Sequence, residues 1–242
     1  MTDKVFLREM NRKEIDCMVT KVRDDGVFLD RTVFYATGGG QPCDTGKLIS
    51  PSGKEFNVTD VRKEGEDILH VIENAPEISE GDRFHGIIDW NRRYAHMRYH
   101  SAIHVLDGIV SSGFSQEGML TGGQIYEDRA RIDLDLNNFS RELVEDILEK
   151  SNAFIKEGHH IYQREVPREE ALAMTNLART EPGRRLIESL DVVRIIVIDG
   201  LDEQADGGTH VQDSREIGKI VLKKIESKGK RNKRVEFFLE SP

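Results

Sequence analysis

Only two cysteines, Cys17 and Cys43, occur in the 242 residues. That is too few for a disulfide scaffold and fits a reducing compartment. No apolar run approaches the roughly 18 to 20 residues that a membrane helix needs, so no membrane partner is expected. The opening stretch MTDKVFLREM lacks the apolar core of a secretory signal, and the expected location is the cytoplasm. Positive charge is in deficit: 35 Lys and Arg stand against 44 Asp and Glu, a net charge of −9, which argues against indiscriminate binding to nucleic acid. The run HSAIH also lacks the glutamate that a zinc peptidase places directly after its first histidine. That weakens a peptidase reading and leaves other metal-assisted hydrolysis open.

What is present is a charged but ordinary chain, 37% hydrophobic and 33% charged, long enough for one large domain or two modest ones. Its basic residues are clustered. Lys219, Lys223, Lys224, Lys228, Lys230, Arg231, Lys233 and Arg234 share a short span with one acid, Glu226, and a second group comprises Arg92, Arg93 and Arg98. Both groups can meet phosphates; for the later one, a solvated hairpin edge guarded by lysines is the competing reading.

The first ninety residues read as short strands. Ile15 to Val22 and Val27 to Asp30 flank a hairpin turn at Asp24-Asp25-Gly26, and Phe56 to Arg62 and Ile68 to Ile72 flank another at Gly65. Many short strands must hide their edges, so a small barrel is expected over 1–90. The period then changes to that of a helix from about Asn91 or Arg92 to Ser111, with Asn91 as cap and Gly113 as stop. Ala130 to Leu136 reads as a strand, Arg141 to Lys156 as a helix capped by Ser140, and His160 to Val166 as a strand followed by a short helix from Pro167 to Met174. Val192 to Ile198 is the strongest buried strand, followed by a loop, and Gly218 to Ile225 with Val235 to Leu239 makes a last hairpin. This order gives an α+β domain with a mainly antiparallel sheet over 91–242, the boundary lying within Gly86 to Arg92.

Two pairs of residues carry the chemistry. His100 and His104 have the spacing that stacks two side chains on one helical face. Asp206 and His210 flank Gly207-Gly208, a turn made easy by two residues without a Cβ. Together they offer three imidazole nitrogens and a carboxylate oxygen to one divalent ion, zinc being the expected one. The competing readings are histidines satisfied by their neighbours and a plain Asp-Gly-Gly turn. His96 falls on the same stripe and is read as a surface residue, or as support behind the ligands, rather than a fifth ligand.

Four segments, in order, resemble the freestanding alanyl-tRNA editing proteins, relatives of the editing domain of alanyl-tRNA synthetase. FYATGGGQPCDTG at 34–46 is similar to the family's glycine-rich signature, with Gly38, Gly39, Gly40, Gln41, Asp44 and Gly46 in register. RRYAHMRYHSAIHVL at 92–106 and GGTHVQDSREIG at 207–218 resemble its two metal-ligand motifs, and GGQIYEDRARIDLDL at 122–136 the strand after the first. The resemblance implies hydrolysis, in trans, of the ester in mischarged tRNA(Ala), chiefly Ser-tRNA(Ala) and also Gly-tRNA(Ala), by a barrel-like domain followed by a metal-dependent editing domain. It implies one divalent ion, zinc first, on His100, His104, Asp206 and His210, although the family usually has cysteine at the Asp206 position. Asp206, Thr209, Gln124 and Gln41 are the expected catalytic or selecting groups, and Thr37, Gly38, Gly39, Gly40, Gly207 and Gly208 the expected substrate contacts. Arg92, Arg93, Arg98, Lys223, Lys224, Lys230 and Arg231 are expected to meet tRNA phosphates, with Tyr35, Tyr94 or Tyr99 stacking on terminal nucleotides. No obligate protein partner is expected. A different metal-dependent ester or amide hydrolase, and a noncatalytic tRNA-binding protein, are the alternatives.

Overall fold

The computed structural model describes residues 1–73, 75–113, 118–136, 139–174, 177, 185, 187–229 and 232–242. The chain divides into two compact units, Met1–His96 and Met97–Pro242.

The first unit contains β1 (Asp3–Lys4), β2 (Glu14–Arg23), β3 (Gly26–Leu29), β4 (Arg31–Thr32), β5 (Gly46–Ile49), β6 (Glu55–Glu64), β7 (Asp67–Ile72) and β8 (Arg83–Ile88). β1 and β4 form a short parallel pair, and the other six close into a barrel in the order β2-β3-β7-β6-β5-β8. Alternation drives the closure: Ile15, Cys17 and Val19 of β2 point into the core, while the residues between them are exposed. Gly46 is needed for the approach of β5 to β8, since a Cβ there would lie 2.1 Å from the Ile87 carbonyl oxygen. Both cysteines are buried and form no disulfide, and burial pushes the Cys17 thiol up to about 12.

α1 (Trp90–Gly113) follows, and the division between the units falls inside it. Asp89 caps it rather than the expected Asn91: its carboxylate accepts the Arg92 N–H at 3.2 Å, and its carbonyl the Arg93 N–H at 3.1 Å. The strand ends at Ile88 and the helix begins at Trp90, with Asp89 alone between them, leaving Asn91 already inside the first turn.

The second unit adds β9 (Gly118–Ile125), β10 (Ala130–Leu136), α2 (Arg141–Glu157), β11 (Ile161–Pro167), α3 (Arg168–Ala173), β12 (Val192–Ile198), β13 (Asp202–Ala205), β14 (Ile220–Ser227) and β15 (Lys233–Leu239). They make two antiparallel sheets, β14-β15-β10-β9 and β11-β12-β13. Ser140 caps α2 as expected, accepting the Leu143 N–H. β13 replaces part of the expected loop; its sequence DEQA is polar but for Ala205 and half-buried throughout, so no alternation betrays it. Gly108 inside α1 has a packing cause. A Cβ there would stand 2.6 Å from Leu201 Cγ, at the tip of the β12–β13 hairpin. Among the described residues no helix is long and apolar enough to cross a membrane.

Candidate metal centre

α1 sets His100 and His104 one turn apart with ring centroids 5.1 Å from each other. The β12–β13 hairpin delivers the other pair. The Asp206 N–H donates to the Arg194 carbonyl at 3.3 Å, one residue beyond the Ile195–Ala205 pairing of the ladder. Arg194 returns a bond from Nη1 to the Asp206 carbonyl at 2.8 Å, and its Nε donates to Gln163 Oε1 of β11 at 2.6 Å. A tether three strands deep thus fixes the backbone of Asp206.

The turn after Asp206 differs from expectation in its cause. Gly207 does not adopt a left-handed φ, and among the described residues nothing lies within 4 Å of where its Cβ would be. The chain folds back because the Asp206 carboxylate accepts the Gly208 N–H at 2.5 Å.

His210 then enters the group, its ring 4.4 Å from His100 and 4.7 Å from His104 between centroids. Its Nε2 lies 3.1 Å from Asp206 Oδ2, and Asp206 Oδ1 lies 3.6 Å from His100 Nε2. One ligand atom from each of His100, His104, Asp206 and His210 lies within 4.8 Å of all the others. The three histidines are buried and Asp206 keeps 15% of its side chain exposed. Burial pushes His100 down to about 4 and holds His210 well below the usual imidazole range, so both rings are neutral at physiological pH. Burial works against charge on Asp206, but the surrounding histidines, His100 first and then His210 through its hydrogen bond, outweigh it and keep the carboxyl well below its usual range. Neutral imidazoles and an ionised carboxylate are the protonation states in which these groups bind a divalent ion.

Two further side chains beside the site, Ser101 and Asp107, were not legible in the sequence. Ser101 Oγ lies 3.2 Å from His210 Nδ1. Asp107, one turn beyond His104 on α1, is buried and accepts from Gln204 Nε2 at 2.6 Å, the same amide reaching Asp202 Oδ2 at 2.5 Å. The only available signal was spacing, since Asp107 continues the His100–His104 stripe. His96 is fully buried, which overturns its reading as a surface residue. Thr209 is buried between Gly208 and His210. Gln124 sits on β9 opposite Arg131, half-buried, its amide donating to the Ile125 carbonyl at 3.2 Å.

Thr37, Gly38, Gly39, Gly40 and Gln41 belong to the first unit. There Gly38 and Gln41 exchange both backbone hydrogen bonds across a two-residue turn in which Gly39 and Gly40 have positive φ. Thr37 is exposed and accepts the Cys43 N–H, whereas Gln41 is fully buried.

The basic residues need correction. Arg93 has no exposure; it is ion-paired with buried Asp44 and donates to the Met10 and Val33 carbonyls, so it cannot reach a phosphate. Arg98 spends its guanidinium on the carbonyls of Glu216, Ile217 and Glu240. Arg92 is half-buried and donates to the Cys43 carbonyl. Lys224 is exposed but paired with Glu226, while Lys223 is exposed at the register shift of β14. Lys230 and Arg231 lie outside the described residues. Tyr35 and Tyr99 are buried, bonded through their hydroxyls to the Gly38 carbonyl and the Leu239 N–H, so neither offers a face to a base; Tyr94 stacks on Trp90.

Two family models match the chain: tRNA synthetases class II (A) over residues 2–92, and the threonyl and alanyl tRNA synthetase second additional domain over residues 193–236. The alanyl-tRNA editing protein AlaX-M of Saccharolobus solfataricus is 36% identical over 244 residues, covering 99% of this chain and all of that protein. The protein of the same name from Methanosarcina barkeri is 39% identical over 245 residues, covering 99% of each. The alanine–tRNA ligase of Pyrococcus furiosus is 36% identical over 230 residues, 93% of this chain but 24% of the ligase.

Proposed function

The chain belongs to the AlaX-M family of alanyl-tRNA editing proteins, and from that premise we propose that it hydrolyses, in trans, the ester of tRNA(Ala) mischarged with serine or glycine, with zinc as its ion. The reading is carried by the buried cluster of His100, His104, Asp206 and His210 in a chain that AlaX-M relatives match end to end. Bound there, a divalent ion supplies a Lewis acid or an activated water for attack on an ester. The chain's own part is positional. His100 and His104 are presented on a rigid helix, and Arg194 and the Asp206 turn hold the other two donors in register. Thr209, next to His210, is our choice for the group that distinguishes the serine hydroxyl from the methyl of alanine, because an alanyl ester would leave its polar partner unpaired; a glycyl ester has no hydroxyl either and differs from alanine by its smaller size. The exchange-bonded turn at Gly38, Gly39 and Gly40, with Thr37 and Gln41, and the turn at Gly207 and Gly208, are proposed substrate contacts, and Gln124 a further polar contact. Arg92, Lys223 and Lys224 are the proposed phosphate contacts among the described residues, and Lys230 and Arg231 are proposed with them.

The test is to offer purified, folded protein with added Zn²⁺ the three esters Ser-tRNA(Ala), Gly-tRNA(Ala) and Ala-tRNA(Ala). Faster release of serine or glycine than of alanine is expected; release of none, or of alanine first, rejects editing. Asp206→Cys sharpens the ligand assignment. Tighter zinc retention with measurable deacylation is expected, whereas retained zinc with abolished turnover would make Asp206 a proton acceptor instead.

A further inference from the structure

A neutral imidazole carries its proton on one nitrogen, and only the bare nitrogen binds an ion. The two nitrogens of His210 face different partners, Nε2 toward Asp206 Oδ2 at 3.1 Å and Nδ1 toward Ser101 Oγ at 3.2 Å. Ser101 is fully buried, follows His100 on α1, and accepts the Val211 backbone N–H on the same Oγ at 3.2 Å. A hydroxyl has one hydrogen to give and two lone pairs to offer, and Val211 takes only one of those lone pairs.

We propose that Ser101 is a positioning residue that lets His210 change tautomer, so that one buried hydroxyl serves the site both without and with its ion. Without an ion, the Ser101 hydroxyl donates to Nδ1, the ring proton sits on Nε2, and Nε2–H donates to Asp206 Oδ2. With an ion, the ring proton sits on Nδ1 and donates to the second lone pair of Ser101 Oγ. Nε2 is then bare and Asp206 Oδ2 is released from it. Ring and hydroxyl together carry two protons in both arrangements, so the exchange changes no net charge. A methyl group in place of the hydroxyl can do neither, and it leaves Nδ1 and the Val211 N–H without this partner at a fully buried position.

This rests on the metal-dependent reading, and the experiment separates the two. Zn²⁺ is titrated against a competing chromophoric chelator for the wild-type chain, Ser101→Ala and Ser101→Thr, with folding followed by circular dichroism. The alanine variant is expected to bind about 10 to 100-fold more weakly, and the threonine variant to stay close to wild type. In parallel, ¹⁵N NMR of the wild-type His210 ring is expected to find the proton on Nε2 without zinc and on Nδ1 with zinc. Wild-type affinity in Ser101→Ala, or a bare Nδ1 in the zinc-loaded protein, overturns the role of Ser101 while leaving metal binding intact. A wild-type chain that takes up no zinc sinks the metal-dependent reading itself. Should Ser101→Ala not fold, the wild-type ring spectra decide alone.

Discussion

Asp44 with Arg93, and His100 and His104 with Asp206 and His210, are both groups of polar side chains withdrawn from water, and they are built on opposite rules. In the first, the Asp44 carboxylate takes the Tyr35 N–H at 2.7 Å and the Arg93 guanidinium, whose other N–H groups reach the Met10 carbonyl at 2.9 Å and the Val33 carbonyl at 2.6 Å. Opposite charges meet and donors match acceptors. In the second, rings kept neutral at His100 and His210 crowd around one carboxylate; His210 Nε2 meets Asp206 Oδ2, and the carboxylate oxygens with the bare ring nitrogens still leave acceptors in excess. The matched group has little left to offer a ligand; the mismatched one has affinity to spare for a cation. Burial of polar groups alone therefore does not mark a site, whereas an excess of acceptors inside a buried group does.

Three measurements of stability would break or sharpen that contrast. Arg93→Ala leaves the Asp44 charge buried without its cation and is expected to cost about 3 to 5 kcal/mol in denaturant unfolding; a loss below about 1 kcal/mol would mean that the pair is no firmer than a surface one. Next in size is an acid effect. His70, fully buried with Nε2 2.7 Å from Thr32 Oγ1, is pushed down to about 4 by burial. The unfolded chain therefore takes up its proton near the ordinary histidine pKa before the folded one does, and stability falls as pH drops from there to about 4, by on the order of 3 kcal/mol. His100, also about 4, has the same sign, so the comparison of wild type with His70→Gln isolates the barrel's share; identical acid limbs would remove it. The smallest change is expected for His104→Gln measured in chelator, within about 1 kcal/mol of wild type, because functional groups are often held at some expense of stability. Added Zn²⁺ should raise the unfolding midpoint of wild type but not of this variant. Equal rises in both would exclude His104 as a ligand.

The grouping of four donors was legible because it rests on local spacing: one turn of helix between His100 and His104, one tight turn between Asp206 and His210. The barrel was legible from the hairpin turns between β2 and β3 and between β6 and β7, and from the shortness of its strands. Contacts made at long range were not. Nothing near Arg93 in the sequence distinguishes it from Arg92 or Arg98, yet its partner Asp44 lies 49 residues earlier. Arg98 likewise finds its acceptors 118 or more residues away. β13 escaped because its side chains are half-buried on both faces, and Gly108 looked like a flaw in a helix until Leu201 was placed against it.

The Asp44–Arg93 pair also governs where the chain can be cut. The last barrel strand ends at Ile88, but the cation that neutralises the barrel's buried carboxylate arrives only at the fourth residue of α1. A fragment ending at residue 90, where the change of sequence period sets the boundary, would keep the acid and discard the base. As a movable cassette for gene fusion or recombination, the barrel therefore has to carry the first turn of the following helix with it.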